Sequence, residues 1–148
     1  MMTRVGGSWG SIRRGLGTAS LACLGVVIVG CASIPPQTES LCNKFESSWN
    51  ALAEESAANT DIAALAESVN RTAKKWSDLA ALDAPADMME VTRNAASHLT
   101  SLWSASSNAV RHAQGTSLRN AGDYMSTQCE KLDHSISLSP LSLPSKLP

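Results

Sequence analysis

Charge, aromatic rings and strand-forming runs are all scarce in this chain. Of its 148 residues 17% are charged and 4% aromatic, with one Phe and one Tyr beside four Trp. Few β-branched residues follow one another after residue 40, whereas Ala, Ser and Leu dominate, a composition that favours helix over strand. No Gly-x-Ser-x-Gly or comparable nucleophile signature occurs, so neither a Ser-His-Asp nor a Cys-His assembly is expected. The only imidazoles are His98, His112 and His134. Placed on one helix, His98 and His112 stand about 21 Å apart at 1.5 Å per residue, too far to share a metal, and no metal or other non-covalent cofactor is expected. Glu54-Glu55 and Asp87 with Glu90 lie on turns of single helices rather than on the facing walls of a cleft, which makes them solvated faces, not an acid and base pair. These absences argue against an enzyme.

Charge is distributed unevenly. Three of the twelve basic residues, Arg4, Arg13 and Arg14, precede Cys31, and all thirteen acidic residues follow it, leaving a net charge of −4 on the remainder. A mildly acidic domain whose one basic cluster, Arg71, Lys74 and Lys75, is broken by acidic neighbours repels phosphate backbones, so no nucleic-acid partner is expected.

The early arginines lead into an uncharged stretch from Gly15 to Gly30 that holds Leu16, Leu21, Leu24, Val26, Val27, Ile28 and Val29, the order of a secretory signal. Sixteen residues at about 1.5 Å each fall short of the roughly 30 Å hydrocarbon core, so the stretch reads as a cleaved leader rather than a permanent span. Ile28-Val29-Gly30-Cys31 resembles the lipobox of bacterial lipoproteins. The resemblance implies that the Cys31 thiol receives a diacylglyceryl group, that the bond between Gly30 and Cys31 is cut, and that the protein sits lipid-anchored on the extracytoplasmic face of the cell membrane. Two or three acyl chains, at about 0.8 kcal/mol per buried methylene, make such an anchor effectively permanent. Cys23 lacks the aliphatic residue three positions back and leaves with the leader.

Residues 31–40, with Pro35-Pro36 and no apolar periodicity, read as the lipidated Cys followed by a short tether. From Leu41 the apolar residues step by three and four: Leu41, Phe45, Trp49, Leu52; then Ile62, Leu65, Val69, Trp76, Leu79; then Met88, Val91, Ala95, Leu99, Leu102, Val110; then Leu118, Ala121, Met125, Cys129, Leu132. Asn59-Thr60-Asp61 separates the first two helices, Asp83-Ala84-Pro85 opens the third, and Gly115-Thr116-Ser117 is expected to close the third and open the fourth. Short connections force neighbours to run antiparallel, which predicts an all-α, up-down-up-down four-helix bundle over residues 41–134. Residues 135–148, with three prolines, alternating serine and leucine and one charge at Lys146, are expected to be a disordered or extended tail, with packing of its leucines along the bundle as the alternative.

Cys42 and Cys129 remain as an even pair in an oxidising compartment. In an up-down-up-down bundle the start of the first helix and the end of the fourth share one end of the molecule, so a disulfide between them is expected. Trp76 and Trp103 continue their stripes and read first as core. The alternative is that one of them, or Met88-Met89 beside Pro85, lines a groove for a partner or an apolar ligand.

From Cys31 to Leu132 the lipobox, proline tether, Ala-rich helices and one cysteine in each terminal helix resemble the small helical lipoproteins of high-GC Gram-positive bacteria and their prophages. That layout implies a non-enzymatic interaction domain, anchored to the membrane by lipid, whose partner is an envelope or phage protein, with prophage superinfection exclusion as one form. A small-ligand carrier for a lipid or porphyrin is the alternative. Replacing Cys31 by Ala should leave an unlipidated chain whose mass lacks the diacylglyceryl increment; an unchanged mass would remove the lipobox reading.

Overall fold

In a computed structural model the described residues are 35–144. The leader at 1–30, the cleavage and lipidation positions Gly30 and Cys31, and residues 145–148 of the tail lie outside them.

Four helices form: α1 (Pro36–Ala58), α2 (Ile62–Leu79), α3 (Ala86–Ser104) and α4 (Asn108–Lys131). Local chemistry explains the boundaries. Pro36 sits in the first turn of α1, where its missing N–H costs nothing and its φ already suits a helix. The helix therefore begins five residues before Leu41, and only the residues up to Pro35 are left for a tether. The expected 31–40 boundary is corrected accordingly. Asp61 caps α2 by accepting from the Ala63 N–H at 2.8 Å, and the Asn59 carboxamide accepts from the Asp61 N–H at 3.0 Å, so three residues suffice to reverse the chain.

The third boundary also differs from expectation. The break between α3 and α4 falls at residues 105–107, where Ser107 accepts from the Val110 N–H at 3.3 Å, and Gly115 lies inside α4. The Ser107 hydroxyl satisfies the otherwise orphaned Val110 N–H, which outweighs the cost of an interior glycine, only about 1 kcal/mol. His98 and His112 consequently stand on different helices. His98 Nδ1 lies 2.8 Å from Gln114 Oε1, which ties α3 to α4.

Each helix packs on the next, and α1 meets α4 to close the bundle, these two being the least closely apposed neighbours. The interior is formed by the predicted stripes: Leu41, Phe45, Leu52, Leu65, Val69, Trp76, Leu99 and Met125 are fully buried. Ile62 and Val110, counted into the stripes by spacing, are exposed because each lies in the first turn of its helix, beyond the packed layer. The few aromatic rings are concentrated at the α1–α2 interface, where Phe45 and Trp76 stack with centroids 5.1 Å apart and Trp49 stacks on Trp76 at 5.7 Å. Burying Trp76 leaves its indole N–H needing an acceptor, and Ser48 Oγ provides one at 2.8 Å. Ser48 in turn donates to the Lys44 carbonyl at 2.7 Å, so this polar pair inside the core is satisfied.

The disulfide joins Cys42 to Cys129 across 87 positions of sequence, with Cα atoms 6.0 Å apart. Beside it, Gln37 accepts from the Asp83 N–H at 2.7 Å, fastening the start of α1 to the α2–α3 connection at the same end. Closing a loop of that length restricts the unfolded chain by about 4–5 kcal/mol on the entropy argument. The paired Cys42→Ala, Cys129→Ala variant should lose stability of that order in denaturant titration, and the intact oxidised chain should weigh two hydrogens less than the reduced one.

Candidate functional site

The four residues offered as a possible groove do not form one. Trp76 and Met88 are fully buried, Trp103 is nearly so, and Met89 is half-buried, so the first three belong to the core. Their stripe positions, not the Pro85 corner, decided the outcome.

A different surface feature stands out, at the seam between α1 and α4. After α4 the chain turns at Asp133, which adopts φ 56°, and the His134 N–H returns to the Cys129 carbonyl at 2.9 Å. A left-handed non-glycine residue costs about 1–2 kcal/mol, the least for Asp and Asn. From Ser135 the chain is extended and lies in the seam as a strap, running parallel to α1 and antiparallel to α4. The tail, expected to be disordered or extended, is extended over residues 135–144. The alternative held for its leucines, packing along the bundle, is the one realised: Ile136 is buried, and Leu138, Leu141 and Leu143 are half-buried against the core.

The bonds holding the strap come mainly from one face of α1. Glu46 Oε1 accepts from the Ser137 N–H at 2.7 Å. One turn further on, Asn50 uses both ends of its carboxamide, donating to the Ser137 carbonyl at 2.8 Å and accepting from the Ser139 N–H at 2.7 Å. Between them Trp49 Nε1 donates to the Ser139 carbonyl at 2.8 Å, and at the hinge Asn43 Oδ1 lies 2.9 Å from His134 Nε2. Asn43, Glu46 and Asn50 follow the i, i+3, i+7 spacing of a helix face, so each meets the next part of the strap. From α4, Ser126 Oγ donates to the Ile136 carbonyl at 3.4 Å, and the Arg111 guanidinium donates to the carbonyls of Leu143 and Pro144 at the far end.

Apart from the hinge imidazole, these bonds go to the main chain of the strap. The groove thus reads an extended backbone through polar side chains and accepts alternate side chains into an apolar floor, which is the logic of strand addition carried out by a helix pair. The floor is shaped by Gly122. A Cβ built there meets the Trp49 ring at 2.9 Å and Leu138 Cδ1 at 3.2 Å, so any larger residue displaces either the indole or the strap. Beside the strap, Trp49, Arg119, Gly122, Asp123 and Pro140 border a cleft of about 280 Å³. A second cleft of about 330 Å³ continues from it past Arg111, His112 and Leu143, sharing Arg119 and Leu141.

Elsewhere, a cleft of about 320 Å³ between α1 and α2 is bordered by Lys44, Lys75 and Asp78. At the start of α3, the Tyr124 hydroxyl donates to Asp87 Oδ2. That bond, ahead of the main-chain N–H groups of Met88 and Asp87, holds the Asp87 carboxyl below its ordinary 3.8 and the phenol above its ordinary 10.0. Among the described residues no group of three His, Cys, Asp or Glu side chains is placed to hold a metal, and no helix is long and apolar enough to cross a membrane.

Sequence reasoning missed Asn43, Glu46, Trp49, Asn50, Arg111 and Gly122 as a set. One signal was available: Ile136-Ser137-Leu138-Ser139 alternates with the period of a strand, directly after a helical domain that offers no strand to pair with. The chain matches no protein-family model. No curated protein is similar to it at a significant level, and neither is any solved structure.

Two outcomes test this geometry. Asn50→Ala removes two hydrogen bonds and should loosen strap docking by about 1–3 kcal/mol, read as faster amide exchange at Ser139 with the α2 and α3 amides unchanged. Tyr124→Phe should raise the Asp87 pKa toward its ordinary value in a carboxyl NMR titration. Because the folded-state pKa is depressed, this contact stabilises the fold above the ordinary carboxylate pKa and is lost as pH falls through the folded one.

Proposed function

We propose that this chain is a membrane-anchored extracytoplasmic lipoprotein that acts without catalysis as a protein-interaction module, and that its working surface is the α1–α4 groove. The observation that carries the reading is that Glu46, Asn50 and Trp49 bond an extended segment through its peptide groups, leaving the identity of alternate side chains to an apolar floor. Such a surface accepts polypeptide with modest sequence demands, as an interaction domain requires. The interior favours this over a lipid or porphyrin carrier, since Phe45, Leu52, Trp76 and Met125 fill the bundle at positions a ligand would occupy. The lipid on Cys31 holds the module at the membrane surface, where an envelope protein or an incoming phage protein is the partner.

A photo-crosslinking side chain at Asp123, which borders the groove, should capture a single protein species on intact host cells. The same probe at the exposed Asn70 on α2 should not capture it. Capture of only lipid or another small molecule would return the carrier, equal capture from both positions would remove the groove from the reading, and turnover of an envelope substrate by the purified chain would make it an enzyme.

A further inference from the structure

The cleft of about 330 Å³ between α4 and the end of the strap is bordered by Arg111, His112 and Arg119, and its charge is unlike that of the rest of the domain. The chain after Cys31 is net acidic, yet no Asp or Glu occurs between Glu90 and Asp123, nor from Ser135 to Pro144. The second half of α3, the first half of α4 and the strap, which together supply the walls of the cleft, are therefore free of carboxylates. Among the described residues the ion pairs are Arg71 with Glu55 and Lys74 with Asp78, both on other faces of the bundle. By contrast, the cleft between α1 and α2 sets Asp78 beside Lys44 and Lys75. Asn108 opens both α4 and the cation-lined cleft, so the positive end of the helix dipole adds to the same potential.

The two guanidiniums are held in place without being neutralised. Arg111 donates to the carbonyls of Leu102, Leu143 and Pro144, neutral acceptors that fix its plane and leave Nε and one N–H of Nη1 for another partner. Arg119 donates to Thr116 Oγ1 at 3.3 Å and keeps most of its donors. Gly115 stands between them, one helical turn from each, and a Cβ built there meets nothing nearer than Leu102 Cδ1 at 3.8 Å. The strip of α4 between the two arginines is thus open, with Leu102 at its base and the half-buried Leu141 and Leu143 of the seated strap as an apolar wall. A guanidinium fork matches a pair of oxygens on a carboxylate or a phosphate. Donors arriving from both sides of one strip suit the tetrahedral group, whose oxygens point several ways, over the planar one.

We infer that this cleft binds a phosphate ester, with its phosphate over Gly115 between Arg111, Arg119 and the His112 ring and its organic part against Leu102, Leu141 and Leu143. The site needs the strap where it is, since Leu143 and Pro144 hold Arg111 and the strap leucines form the wall. Arg111 lies about 27 Å along α4 from Cys129 at 1.5 Å per residue, at the end of the bundle away from the disulfide and from Pro36, where the chain enters. That position favours an ester in solution over a headgroup of the membrane that carries Cys31. One phosphate is recognised here, not a run of them, so the net acidic charge still opposes a nucleic-acid partner.

The test is amide and Arg side-chain NMR of the chain purified from its host membrane into phosphatidylcholine bicelles, with ionic strength held constant by chloride. Butyl phosphate should shift the Gly115 amide and the Arg119 Nε signal saturably, and bind about fivefold more tightly than inorganic phosphate because its alkyl part covers apolar wall. Arg119→Gln should weaken binding about tenfold, and Lys75→Gln should leave it unchanged. Gly115→Glu puts a carboxylate where the phosphate sits and should abolish binding, while unchanged α1 and α2 amide signals report that the bundle still folds. Replacing part of the phosphatidylcholine by phosphatidylglycerol, with no butyl phosphate present, separates the sources: shifts at Gly115 assign the site to a lipid headgroup, and none assigns it to soluble esters. The site is overturned by no saturable shift with either probe, by butyrate binding as tightly as butyl phosphate, or by an affinity that Arg119→Gln does not change.

Discussion

The seam between α1 and α4 is joined in two ways, by the Cys42–Cys129 bond at one end and by a peptide laid along it for the rest of its length. A four-helix ring has to close its first helix on its last, and that closure cannot come from a short connection because the two are farthest apart in sequence. Here the helices approach each other less closely than any other neighbouring pair, and the strap supplies the missing apolar cover over Trp49. Much else follows from this arrangement. Gly122 must lack a side chain, Asn50 must present its carboxamide outward, and the chain must reverse at Asp133 to enter the seam.

The energetic division of labour is equally plain. The interior of the bundle is largely apolar, with the indole N–H of the fully buried Trp76 satisfied by Ser48, while the strap is held by hydrogen bonds at partly solvated positions together with the burial of Ile136. Net contributions of such bonds are about 0.5–1.5 kcal/mol each, against about 1.5–3 kcal/mol for a fully buried large side chain. The strap is therefore held by the sum of several modest bonds and the burial of Ile136 rather than by a layer of large side chains of its own.

Periodicity made most of the fold legible. Leu41, Phe45, Trp49 and Leu52 on one helix, and Leu118, Ala121, Met125 and Cys129 on another, could be assigned to the interior from spacing alone, because a 3.6-residue repeat leaves only one face to bury. The pairing of Cys42 with Cys129 followed from antiparallel topology. Spacing failed where two local signals competed: Gly115 resembled a helix stop, yet Ser107 had the cap that mattered, and His98 and His112 were separated onto two helices as a result. It failed again at Pro35-Pro36, where the second proline starts a helix instead of extending a tether.

By itself the sequence determined the class of fold, the number of helices, the faces they bury and the disulfide, since each depends on residues close in sequence or on the parity of helix directions. Where the tail goes was decided only in three dimensions. Ile136, Leu138, Leu141 and Leu143 alternate with serine or proline, a pattern equally compatible with a loose tail, and nothing local selects between the two. The selection comes from Asn43, Glu46 and Asn50, about ninety residues away in sequence, and from the space left at Gly122. A groove exists only once two helices stand side by side, so neither its shape nor its occupant is written in any one segment of the chain.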